Sequence, residues 1–276
     1  MTRTDSAGTE HPPAARDARI VSLVPSITEL LFALGLADRI VGRTGFCVHP
    51  RDAVRAVPKV GGTKAVKLDA IRALAPTHVI VNIDENEKPT IDALAQFVPH
   101  VIVTHPLTPH DNLPLYSLLG SIFGCEEAAQ RLSEAFSAKL DALATERFPE
   151  RTVLYVIWRD PWMTVARDTY ISSMLRLVNW QTWPAVTGGL TGASRYPTFD
   201  FDDPAFAGVE RILLASEPFR FTAKHRDALA NDPRLAGKQV LLVDGEMISW
   251  YGSRAIDGID YLHNLASAAL SGPDRA

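Results

Sequence analysis

EEAAQRLSEAFSAKLDALATER, residues 126–147, contains neither Gly nor Pro, and Leu132, Phe136, Leu140 and Leu143 recur at i, i+4, i+8 and i+11. That spacing gathers the large apolar side chains on one helical face and leaves the charges on the other. As one uninterrupted helix, the 22 residues would span about 33 Å, roughly the width of a small domain. On either side lie segments of similar size, residues 19–125 and 148–276, each alternating short β-branched runs with helical patterns. The pattern predicts two α/β lobes with mainly parallel sheets, joined by a stiff rod and separated by a cleft.

A chain of 276 residues with 46% apolar content is long enough for two such lobes. A formal net charge of −4 with no Lys/Arg block argues against a nucleic-acid surface. Cys47 and Cys125 are too few for a disulfide framework. No apolar run reaches the roughly 18 residues of a membrane span. Residues 1–18, MTRTDSAGTEHPPAARDA, are polar and proline-containing, so a disordered tail is expected. They hold neither the apolar core of a signal peptide nor a cysteine for a lipid anchor, which as written reads as cytoplasmic.

The first lobe opens with a strand at residues 19–24 (RIVSLV), running into Pro25-Ser26-Ile27-Thr28-Glu29. Ser26 and Glu29 have the spacing of a capping box. The same helix N-terminus could also face a ligand, because strand-to-helix turns line the crevice of a parallel sheet. The turn lacks the glycines of a dinucleotide fingerprint, which weighs against a nicotinamide or flavin enzyme. Further on, Phe46-Cys47-Val48-His49-Pro50 places a thiol and an imidazole two residues apart, both ligands of soft metals. Either the pair contacts a metal or it packs locally. Gly61-Gly62-Thr63 is a turn whose missing side chains would admit a bulky ligand. NIDENEK, residues 82–88, is a polar loop beyond the predicted strand 78–81.

In the second lobe, strands are predicted at residues 151–158, 211–215 and 239–243, with a helix at 255–270 and an irregular stretch at 179–203. All five Trp and five of the six Tyr lie after residue 150, and Trp158, Trp162, Tyr196, Trp250 and Tyr251 fall at strand ends or in loops. They are either core aromatics or a wall for a flat apolar ligand. No nucleophile elbow, P-loop, H-E-x-x-H or C-x-x-C is present. That moves weight from catalysis to binding.

RIVSLVPSITELLFALGLADRIVG, FCVHP, PKVGG, LDAIRALAPTHVIVN and DENEKPTIDAL together resemble the cobalamin-binding solute receptors of ABC importers, the helical backbone metal receptors. Relatives within that family bind ferric siderophores or haem. The resemblance covers residues 19–268 and implies two Rossmann-like lobes on one rigid helix, with a metal-centred macrocycle or chelate in the cleft. It implies a ligand site of Pro25, Ser26, Phe46, His49, Gly62, Thr63 and Asn82 in the first lobe. Trp162, Arg195, Tyr196 and Trp250 would come from the second, with His49 and Cys47 as candidate contacts to the ligand's metal. The resemblance favours a corrinoid, since a siderophore pocket would be expected to supply more Arg and Tyr than Arg159, Arg195 and Arg254 provide. It also implies a periplasmic or cell-surface monomer with no catalytic cofactor, whose Glu87 and Glu217 dock on an ABC permease. A cytoplasmic corrinoid- or chelate-binding sensor without a permease, and a cofactor-processing enzyme, stand as alternatives.

Overall fold

Two compact units emerge in the computed structural model, which describes residues 3–268. The first takes the described residues up to Pro106, His110–Ser137 and Tyr251–Arg254; the second takes Leu107–Pro109, Ala138–Trp250 and the residues from Ala255 onward. Each is an α/β unit with one four-stranded, wholly parallel sheet. Among the described residues, no helix is long and apolar enough to cross a membrane.

In chain order the first unit holds β1 (Ile20–Ser22), α1 (Pro25–Ala33), β2 (Ile40–Arg43), α2 (Arg51–Val54), α3 (Leu68–Ala73), β3 (His78–Asn82), α4 (Lys88–Leu94), β4 (His100–Thr104) and α5 (Asn112–Phe123). Its strand order is β2-β1-β3-β4. β3 is buried at every position, which is why HVIVN reads as a continuous apolar run rather than an alternating one. Val21, Leu23, Val60, Ile71, Val79, Val81, Leu94 and Val98 pack as its core. α5 stops at Gly124, which takes the left-handed conformation of a helix C-cap.

The rod is present as α6 (Glu126–Ala144), three residues shorter than the expected 126–147. The amides of Thr145 and Glu146 donate to Ala142 and Leu143 and close its last turn. Phe136 and Leu143 are buried and Leu132 and Leu140 half-buried, matching the face the spacing defined. The division between the units falls inside this helix, after Ser137.

The second unit continues with β5 (Arg151–Val156), α7 (Tyr170–Arg176), β6 (Trp180–Thr182), β7 (Arg211–Ala215), α8 (Ala223–Ala230), β8 (Gln239–Val243), α9 (Gly245–Ser249) and α10 (Arg254–Ala268). Its order, β6-β5-β7-β8, repeats that of the first sheet. β6 lies in the stretch expected to be irregular; three residues carry too little periodicity to announce a strand. The last two residues of the predicted helix 255–270 fall outside the described residues.

Two expectations are corrected. Residues 3–18 were expected to be a disordered tail, yet they are packed: Asp5 and His11 are buried and paired at 3.0 Å, and the Ser6 amide donates to the Val103 carbonyl. Composition missed this because one buried carboxylate organises an otherwise polar segment. Residues 251–254 were assigned to the second lobe but belong to the first unit. There the Tyr116 hydroxyl donates to the Gly252 carbonyl at 2.8 Å, and the Gly252 amide donates to Asn112 Oδ1 at 2.6 Å.

In each sheet the order reverses beside the first strand, so the connections leaving β1 and β3 diverge, as do those leaving β5 and β7. Such a switch point opens a crevice at the carboxyl ends of those strands.

Candidate functional site

Pro25 and Ser26 follow directly from β1 at the first of these crevices. Pro25 occupies the first helical position of α1, where a missing N–H costs nothing. The N-cap is therefore Val24, which has no side-chain cap, and the expected capping box does not form. Ser26 lies two positions past the N-cap, too far into the helix to serve. Glu29, its supposed partner, instead accepts two short hydrogen bonds from the Arg254 guanidinium, at 2.6 and 2.8 Å. Ser26 Oγ is buried beside the Tyr251 hydroxyl without a hydrogen bond of ordinary geometry. The Tyr251 hydroxyl donates to Glu85 Oε1 at 2.9 Å; burial, then the Glu85 charge, keeps that phenol protonated well above its usual range.

Behind β3, Asn82 and Asn86 fasten the polar loop. Asn82 Oδ1 accepts the Asp84 amide, and Asn86 Oδ1 accepts the Asn82 amide. Asn86 Nδ2 reaches the Thr63 carbonyl at 2.9 Å, tying that loop to the glycine turn. Asn82 was expected at the ligand; its side chain serves the loop. Asn86 is not singled out by sequence, and Tyr251 reads there only as a core or wall aromatic, not as the partner of Glu85. NIDENEK marked the loop as polar, but only the backbone path decides which of its side chains turn inward.

The loop after β2 carries the most exposed aromatic side chain of this unit, Phe46, at 63%. The Gly45 amide donates to the Gly61 carbonyl at 2.7 Å, which sets this loop against the glycine turn. A Cβ on Gly62 would meet the Phe46 ring at 3.3 Å, so the missing side chain accommodates Phe46 rather than facing a ligand directly. Gly61, at φ +111, could not be replaced without its Cβ striking the Ala65 carbonyl. Thr63 is half-buried, Val48 exposed and His49 half-buried just before α2.

Cys47 does not share the position of His49. Its thiol is enclosed, 3.0 Å from the Thr28 hydroxyl and 3.1 Å from that of Thr44. Burial raises its pKa against the lowering effect of both hydroxyls, so it stays a thiol at neutral pH. That corrects its reading as a metal contact, which needs an accessible thiolate. Among the described residues, no group of three or more His, Cys, Asp or Glu is arranged to hold a metal ion.

In the second unit Trp158, just past β5, is 40% exposed and meets Phe219 edge-on at 5.7 Å. Trp162 is half-buried against Phe199, Phe201 and Phe221, with the Arg159 guanidinium over its ring at 5.6 Å. Tyr196 is half-buried. Trp250 is buried, and its indole N–H donates to Glu217 Oε1 at 2.8 Å. The proposed aromatic rim thus divides, with Trp158, Trp162 and Tyr196 at least partly open and Trp250 and Tyr251 packed inside.

Two charged candidates turn inward. Arg195, expected at the ligand, is 1% exposed and donates to the Gly189 carbonyl at 2.7 Å. It braces a loop whose other anchor is Asp168. Partial burial would raise the Asp168 carboxyl, but the amides of Gly188 and Gly189 outweigh that and hold it below its usual range. Glu217, expected as a docking charge, has Oε1 engaged by both Ser249 and Trp250. Glu87 is exposed at the start of α4.

A family profile described as periplasmic binding protein matches residues 20–237. An uncharacterized ABC transporter substrate-binding lipoprotein of Bacillus subtilis, YvrC, is 24% identical over 88% of this chain and 78% of its own. A vitamin B12-binding protein of Vibrio campbellii is 23% identical over 87% of this chain and 86% of its own. Among solved structures, the periplasmic vitamin B12-binding protein BtuF of Vibrio cholerae superposes with a TM-score of 0.75 at 18% identity, covering 91% of this chain and 97% of that one. The periplasmic haem-binding protein BhuT, in complex with two haems, gives 0.76 at 22% identity, covering 91% and 98%.

Proposed function

The chain belongs to the periplasmic binding protein family, and from that premise we propose that it is the ligand receptor of an ABC importer and that its ligand is a cobalamin-type corrinoid. It acts outside the cytoplasmic membrane, binds and releases its cargo without chemical change, and presents it to a permease. The observation that carries this reading is the exposed Phe46 ring, laid on the Gly61–Gly62 turn at the carboxyl edge of the first sheet. Val48 is also exposed in the same loop, so two apolar side chains stand open beside that turn. Such a surface suits a large, nearly flat ligand better than a compact anion. Trp158 offers an equivalent aromatic surface at the carboxyl end of β5. His49 supplies an imidazole toward the ligand's metal; Pro25 and Thr63 are the first unit's further candidate contacts, and Trp162 and Tyr196 those of the second.

The test is titration of the purified protein with aquocobalamin, followed by tryptophan fluorescence and the visible spectrum. Saturable quenching is expected, weakened about tenfold or more by Phe46→Ala; His49→Ala should alter the visible spectrum of the bound form. A second reading, haem as cargo, is favoured by the equally good superposition on a haem-loaded receptor. Saturable haem binding, with no corrinoid binding at millimolar concentration, would replace the first reading by the second. Binding of neither would remove both.

A further inference from the structure

The N-terminal segment is built around a buried charge. The Asp5 side chain is fully enclosed; its Oδ1 accepts the amides of Ala7 and Thr9 at 2.9 Å. Its Oδ2 accepts the Val103 amide at 2.9 Å and lies 3.0 Å from His11 Nε2. The Ser6 amide donates to the Val103 carbonyl and the Ala14 amide to the Ile122 carbonyl. These bonds seat the segment on β4, an edge strand of the first sheet, and on the last turn of α5.

Beyond His11 the imidazoles continue as a column. His11 stands edge-on to His100 at 6.3 Å, His100 stacks on His78 at 4.7 Å, and His78 meets Phe123 edge-on at 5.2 Å. His78 and His100 are register partners at the amino ends of β3 and β4. His78 is 3% exposed, its Nδ1 is 2.8 Å from the Thr77 hydroxyl, and its Nε2 is buried with no hydrogen-bond partner. The charged groups on flanking elements are engaged elsewhere: Arg19 with the Leu74 and Ala75 carbonyls, Arg39 with the Phe123 carbonyl. Asp5 can balance one imidazolium. A second, on buried His78, would place like charges in contact.

We propose that this column is an acid-released latch: protonation of the stacked histidines frees the segment from β4 and uncovers the edge of that strand. Burial, then the charges of His100 and His11, lower the His78 pKa from 6.5 to about 4. Releasing the segment removes the His11 contribution and loosens the column, so the docked segment binds fewer protons than the released one as pH falls below 6.5. Docking is at full strength above the upper value, weakens as pH falls through the window, and levels off below it. One such group changes the equilibrium by up to about tenfold per pH unit.

Amide hydrogen exchange on the full chain, corrected for intrinsic rates, tests this at Ser6 and Val103. Between about pH 7.5 and 4.5, protection at both should fall by about tenfold or more. In His78→Gln/His100→Asn the change should shrink below about threefold. If that double variant does not fold, His100→Asn alone, at a half-buried position, should still diminish the response. Protection independent of pH in the native chain, or an undiminished response in a folded variant, would overturn the latch.

Discussion

Glu217 is a half-buried carboxylate that sequence cannot tell from a surface charge. Its Oε1 accepts both the Ser249 hydroxyl, at 2.7 Å, and the Trp250 indole N–H, at 2.8 Å. Burial raises its pKa, opposed by those two donors and assisted by the charges of Glu246 and Asp244. A carboxyl raised in the folded state favours folding below its unfolded pKa, and that contribution is lost as pH rises through the folded value. Glu217→Gln keeps an oxygen acceptor without the charge, so stability at neutral pH should be preserved or increased. Glu217→Ala strands two buried donors and should cost about 1–3 kcal/mol. Urea denaturation of both variants at neutral pH checks the pair. Equal, negligible effects would return Glu217 to the status of a surface charge.

α6 is the element whose sequence was plainest, and its energetics are correspondingly local. Phe136 is fully buried and meets Tyr116 edge-on at 6.2 Å, both within the first unit. Phe136→Ala should destabilise that unit by about 3–5 kcal/mol through lost burial and a residual cavity. All five tryptophans lie in the second unit, so their fluorescence reports on it selectively. The expected result is a far-UV dichroism transition displaced to lower urea, with the tryptophan transition displaced less. Coincident displacement of both would mean that the chain unfolds as a single cooperative block.

For the molecule as a whole, the remaining question is its partner. Glu87, exposed at the start of α4 beyond the carboxyl end of β3, is the docking charge we propose first; Glu217 is half-buried with its Oε1 committed to Ser249 and Trp250. A rim charge governs orientation and association rate more than the ligand site. Glu87→Arg should therefore lower receptor-stimulated ATPase activity of the importer while leaving ligand affinity within about threefold. Full stimulation by the variant would place the docking contact elsewhere.

The helices and most strands were legible in the sequence because periodicity is a property of neighbours along the chain. Leu132, Phe136, Leu140 and Leu143 define a face wherever the helix is placed, and a run such as HVIV requires burial on both sides. Exposed Phe46 and Glu87 could likewise be placed on loops from their surroundings in sequence. What no local pattern contains is direction. Cys47 and His49 are two residues apart, yet the thiol turns toward Thr28 and Thr44. Arg195 and Trp250 read as ligand contacts, yet each is buried and donates inward, to Gly189 and to Glu217. Asp5 reads as part of a solvated tail until Val103, almost a hundred residues away, supplies the amide that makes its burial tolerable. A buried polar group persists only where a partner meets it, and that partner is chosen by the tertiary fold.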